Sequence, residues 1–161
     1  MRRVIPTVMA LAWLAACSKE APPPPEEQAN STGHADSVAM AAAAFDSTAL
    51  DTITWRTPDE ALSRGGLVFR VSCNKCHGVT GNGDGDLVAD GKSAKPPSFL
   101  TPDWKFANDP VGLRKLIFSG SAQDMPYWGL VGLKYRDLDA VASYITGYLR
   151  PTFGEQAAPT P

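Results

Sequence analysis

The sequence predicts a small all-α domain, and three features carry that expectation. Thr57-Pro58-Asp59-Glu60 has the form of a helix start, with a capping Thr, Pro at the first helical position, and Glu three residues after the cap. Asn108 or Asp109 followed by Pro110 repeats that form ahead of Val111, Leu113, Leu116, Ile117 and Phe118, with Gly120 as the stop. Leu138, Val141, Ala142, Ile145 and Leu149 recur at helical spacing after Asp137, a plausible cap, until Arg150-Pro151 ends the run. At 161 residues there is length for one domain of ordinary size with appendages.

The appendages come first. Met1 to Ala16 opens with Arg2 and Arg3 and continues as a mostly apolar run too short to span a bilayer, which is the pattern of a signal peptide. Its end, Leu14-Ala15-Ala16-Cys17, resembles the lipobox of bacterial lipoproteins. That resemblance implies cleavage before Cys17, acylation of Cys17 and anchorage to a membrane facing the periplasm or extracytoplasmic space. The other reading is an ordinary secretory peptide cut nearby, which leaves Cys17 as a free thiol or removes it. Loss of the two leader arginines takes the formal net charge from −2 to −4, which argues against nucleic acid as a partner.

Residues 17–55 read as a tether. Pro22 to Pro25, Glu26, Glu27 and the polar run through Asp36 offer too little apolar area to order themselves. As a flexible coil such a segment reaches about 30–35 Å, enough for a membrane-anchored domain to search for a neighbour. Ser37 to Leu50, with Ala41 to Ala44, is expected to form a short helix capped by Ser37, as part of the linker or as a docking helix. His34 reads as solvated and not as a metal ligand.

The helix opened by Thr57 carries Leu62, Gly65, Gly66 and Phe69 towards Cys73. Two adjacent glycines cost about 1 kcal/mol each inside a helix relative to alanine, so they predict close passage of another helix, with the C-terminal one as its candidate. The helix delivers Cys73-Asn74-Lys75-Cys76-His77. Two thiols and an imidazole in this order are the attachment pattern of a c-type haem, because the cysteines form thioethers to the vinyl groups while the histidine sits beneath the iron. A thioredoxin-like site needs a βαβ context that the flanks lack, and a zinc site needs further Cys or His ligands that do not occur after His77. The cofactor expected is one covalently attached haem c, whose bonds supplement a small core that has no disulfide pair.

With the motif in place, residues 57–150 resemble the monohaem class I cytochrome c family. Gly65 and Phe69 lie eight and four residues before Cys73, as in its first helix, and Tyr144 matches its last helix. The resemblance implies that these helices cross at the glycine, that the fold is a small helical domain wrapped around one haem, and that a G-x-G-D-G run such as Gly81 to Gly85 turns beside the haem. Asn82, Asp84 and Asp86 imitate a calcium loop, but Leu87 stands where glycine is required and Ser93 where the bidentate acid belongs. Lys95 to Leu100 is extended by its prolines. In the family a proline carbonyl accepts from the ligating imidazole, a role open here to Pro96 or Pro97. Trp104 and Phe106 are expected to wall the cavity.

Met125 is the only methionine between residues 56 and 150. Its place, before Pro126 and ahead of the last helix, resembles the family's ligand loop and implies that it is the sixth ligand opposite His77. A thioether favours ferrous iron and occupies the remaining axial position, so the expected function is one-electron transfer without catalysis of its own. The implied partners are membrane redox proteins. The alternatives are a fixed haem subunit of a larger respiratory or photosynthetic complex, and a haem enzyme or gas sensor with an open sixth site. Tyr127, Trp128 and Tyr135 either pack or offer polar tips to haem propionates. The expected domain limits are 1–16 for the leader, 17–55 for the tether, 56–150 for the domain and 151–161 for a disordered tail.

Overall fold

Thr57 caps the first helix of the haem-motif segment by accepting the amide of Glu60 on Oγ1 at 3.2 Å, and Pro58 follows at the first helical position. Glu60 reaches back one residue further than a standard capping box, accepting from the Arg56 N–H at 3.0 Å. The structure, a computed structural model, describes residues 25–89, 91–122 and 125–154. The leader, Cys17, Pro22 to Pro24 and residues 155–161 lie outside the described residues. The described chain is mostly helical: α1 (Pro25–Ala44), a 3₁₀ turn (Ser47–Leu50), α2 (Pro58–Ser72), α3 (Asn74–His77), α4 (Pro110–Ser119), α5 (Tyr135–Tyr144) and a π-helical segment (Ile145–Gly154). Its strands, β1 (Val88–Ala89) and β2 (Lys92–Ser93), pair antiparallel with Val88 opposite Ser93.

The glycine pair does what its sequence position implies. A Cβ on Gly65 would strike the Ala140 carbonyl and lie 2.6 Å from Tyr144 Cβ, so α2 and α5 approach backbone to backbone. The Tyr144 ring covers Gly66. Around this crossing Phe69, Leu113, Leu138, Val141 and Leu149 are fully buried. Arg64 closes its rim with a 2.7 Å ion pair to Asp137.

The α4 start is as expected, with Asp109 of the two candidates as the cap: its Oδ1 accepts from Gly112 N–H at 2.8 Å. Gly120 ends α4 at φ 74°, a left-handed turn that suits glycine. Asp137 is not the cap of α5. That helix begins two residues earlier with Lys134 at the cap, and Asp137 lies in the first turn, where its charge meets the positive helix end and Arg64.

Two further expectations are corrected. The helix expected over Ser37 to Leu50 runs instead from Pro25 to Ala44, through residues expected to lack order, and Ser37 lies inside it and not at its cap, its hydroxyl donating to the Gly33 carbonyl at 2.9 Å. The ordering comes from packing: Ala41 is fully buried and Phe45 meets Phe118 and Tyr135 at ring distances of 5.5 and 5.9 Å, so α1 seats on α4. His34 is likewise not solvated but half-buried, and Nε2 lies 2.8 Å from the Ser121 carbonyl. At the other end, the chain continues through Pro151 to Gly154 in wide turns. Thr146 takes up the freed Ala142 carbonyl at 2.9 Å, and Phe153 packs on the core.

Candidate haem-binding site

Cys73, Cys76 and His77 stand on one short turn because α2 ends there. The Cys73 N–H donates to the Phe69 carbonyl at 2.9 Å and the His77 N–H to the Cys73 carbonyl at 3.0 Å, which carries helical winding across the motif. Gly78, at φ 76°, then releases the chain. Both thiols are free. Burial, with the neighbouring Cys76 adding to it, pushes the Cys73 thiol up to about 12, and burial raises Cys76 as well. Burial also lowers His77 to about 4. At neutral pH the turn therefore presents two neutral thiols and a neutral imidazole.

The glycine-rich loop is laid against the same turn. Gly83 N–H donates to the His77 carbonyl at 2.9 Å, Gly85 to the Cys76 carbonyl at 3.2 Å and Leu87 to the Lys75 carbonyl at 2.9 Å. Gly83 has φ 79°, and a Cβ there would run into the Pro96 carbonyl oxygen. Glycine is needed at this point on both counts. Asn82 accepts from Ser98 Oγ at 3.0 Å, which ties the loop to the proline segment.

A chain of rings leads away from the histidine. His77 stacks on Phe99 at 4.5 Å, Phe99 meets Trp104 at 5.3 Å, and Trp104 meets Phe106 at 5.6 Å. Arg150 holds this wall in place by donating to the carbonyls of Phe99 and Thr101 while its guanidinium lies 5.1 Å from the Trp104 ring. Phe99 is the ring in contact with the imidazole, and Trp104 and Phe106 follow it one and two rings further away.

Met125 lies half-buried in the loop after α4, with its carbonyl accepting from Ser121 N–H at 3.1 Å. Cys73 and Met125 pack against the same buried cluster, on different elements. The prolines come close without engaging the ring: the Pro96 carbonyl faces Gly83, and His77 Nδ1 is buried without a hydrogen-bond partner. Of the polar tips, Tyr135 Oη is taken by the Asp46 N–H at 2.6 Å, so Tyr135 serves the N-terminal packing.

A model of the family described as cytochrome c oxidase, cbb3-type, subunit III matches residues 60–145. The chain belongs to that family. The match spans α2, the Cys73 to His77 turn, the Met125 loop and α5 of this cytochrome c domain. No curated protein and no solved structure matches the chain. A cytochrome c domain implies haem c and haem-based electron transfer, and domains of this type are generally exported. The residues present fit that group. Two free thiols and a buried imidazole with an unpartnered nitrogen share one turn, walled by aromatic rings and cradled by a loop that tolerates no Cβ at Gly83. No helix among the described residues is long and apolar enough to cross a membrane.

Sequence reasoning missed a polar cluster that braces the crossing. Asp139 on α5 accepts from Arg114 on α4 at 2.7 Å and from Trp55 Nε1 at 2.6 Å, and Arg136 lies 3.9 Å over the Trp55 ring. Trp55, assigned to the tether, is thus held by the folded domain. The alternation Asp137, Asp139 within an apolar helical stripe is the signal that was there to be read.

Proposed function

We propose that this chain is a membrane-tethered monohaem c-type cytochrome that passes single electrons between membrane redox proteins. The observation that carries the reading is the Cys73-Cys76-His77 turn, with its buried and unpartnered imidazole, packed through Cys73 on the core that also receives Met125. Haem c, when bound, supplies a one-electron ferric/ferrous couple.

Cys73 and Cys76 would hold the group through thioethers, and His77 and Met125 would be the residues that ligate its iron. Desolvation keeps the imidazole neutral and able to ligate. Pro96 or Pro97 would supply the carbonyl that orients the ring. With His77 and Met125 both committed to the haem, no position would be left for a substrate, and the protein would act as a carrier. Acylation of Cys17 after removal of residues 1–16 anchors it on the outer face of the cell membrane.

The test is the visible spectrum of the reduced holoprotein with and without carbon monoxide. The wild type keeps its low-spin spectrum, whereas Met125→Ala retains covalent haem and binds carbon monoxide. Low-spin behaviour in Met125→Ala would remove this methionine from the ligand role. Ready binding by the wild type would put a haem enzyme or gas sensor ahead. A second reading, a fixed haem subunit of a respiratory complex, is favoured by the family description as an oxidase subunit. Co-migration of haem with a large assembly on a native gel distinguishes it from a free carrier.

A further inference from the structure

The α1 helix does more than join an anchor to a domain. Residues His34, Val38, Ala41 and Phe45 recur at helical spacing, and all four are half-buried or buried where α1 meets the rest of the chain. At the lower end Phe45 and Asp46 are fixed on Phe118 and Tyr135. At the upper end His34 faces the loop after α4, with Nε2 2.8 Å from the Ser121 carbonyl and its ring 5.8 Å from the Tyr127 ring. A carbonyl only accepts, so Nε2 carries the proton and donates. Ser121 in turn donates its N–H to the Met125 carbonyl at 3.1 Å. The strand of contacts His34, Ser121, Met125 therefore runs from the N-terminal helix into the backbone of the methionine itself.

We infer that α1 is a strap across the Met125 loop, and that His34 is a positioning residue for the sixth iron ligand. This deepens the proposed function and rests on Met125 as ligand. Seated, the strap holds the loop closed and the thioether at the iron. Lifted, it frees the Ser121 carbonyl and lets the loop open. The strap is continuous in sequence with the segment that leads to Cys17.

The test uses the full-length holoprotein carrying His34→Phe, which keeps a ring against Tyr127 but has no N–H to donate, beside His34→Gln, whose amide nitrogen reaches about where Nε2 lies. In His34→Phe, amide exchange across residues 120–128 should rise about fivefold, the factor that one hydrogen bond of ordinary net strength supplies. Exchange at the α2–α5 crossing stays as in wild type, carbon monoxide gains access to the ferrous protein, and His34→Gln restores both. Unchanged loop exchange in His34→Phe overturns the strap. Faster exchange with the sixth site still closed, while Met125→Ala opens it, reduces His34 to a structural contact and overturns its positioning role. Failure of Met125→Ala to admit carbon monoxide is a different result, which removes the ligand assignment on which the strap acts.

Discussion

Replacing Gly65 by alanine adds one methyl group at the point where α2 and α5 touch. The new Cβ would be 2.6 Å from Tyr144 Cβ and in collision with the Ala140 carbonyl. Carbon pairs pack at about 3.5–4.0 Å, so the helices must part by about 1 Å. The atoms in the way are backbone and a first side-chain carbon, which cannot swing aside. Overpacking of this kind costs about 1–3 kcal/mol, and a rigid neighbour places Gly65 at the upper end. Alanine recovers about 1 kcal/mol of helix propensity, which leaves a net loss of about 2 kcal/mol. For a domain of this size that corresponds to a Tm lower by about 8–16 °C. Thermal and urea denaturation of the holoprotein followed by circular dichroism measure it, with Gly147→Ala as the control. There the new methyl meets only the tip of Leu62, at 3.3 Å, and Tm should hold or rise. Gly66→Ala, 3.2 Å from the edge of the Tyr144 ring, should fall between the two. Equal stability of Gly65→Ala and Gly147→Ala would refute the crossing as the constraint on Gly65.

The polar brace offers a second comparison. Arg114 and Asp139 are each 15% exposed and share a charge-assisted bond, so Arg114→Met should cost about 1.5–3 kcal/mol in urea unfolding, whereas Arg56→Ala, which breaks an ion pair with its arginine in solvent, should stay within about 0.5 kcal/mol. Glu60 supplies a pH signature: the Arg56 N–H, then its guanidinium, hold the carboxyl below its ordinary 4.5. A lowered folded value means that the contribution is present above 4.5 and lost as pH falls through the folded value, so the Tm difference between wild type and Glu60→Gln should exist at neutral pH and vanish in acid.

What could be read from the chain, and what could not, divides along the range of the interactions involved. Thr57, Asp109 and Gly120 act on neighbours within four residues, so their caps were legible. The Gly65-Gly66 pair was legible for another reason: two poor helix formers inside a helix require a compensating contact, and only one other long apolar stripe was available to provide it. The Cys73 to His77 turn is a local motif whose spacing carries its chemistry. By contrast only the Ala-rich end of α1 was legible, and its start and its seat were not, because the face it buries is made of His34, Val38 and Ala41 and its order depends on Phe118 and Tyr135 far along the chain. The continuation through Pro151 was hidden too, since the proline signals a stop and only Thr146 and the packing of Phe153 sustain the wide turns.

The α2–α5 crossing also sets an order of events. Arg64 and Asp137, which close its rim, are 73 residues apart, so the α2–α5 contact waits until the last helix has been made. The contacts that Cys73, Cys76 and His77 make with α2 and with the glycine loop are local by comparison and can form first. In a chain emerging from its N-terminus, the thiols therefore pass through an interval in which their own turn is wound but the helix that buries Phe69 beside them is missing. The burial that pushes the Cys73 thiol up therefore belongs to the finished domain, in which Cys73 packs on a cluster that α5 completes.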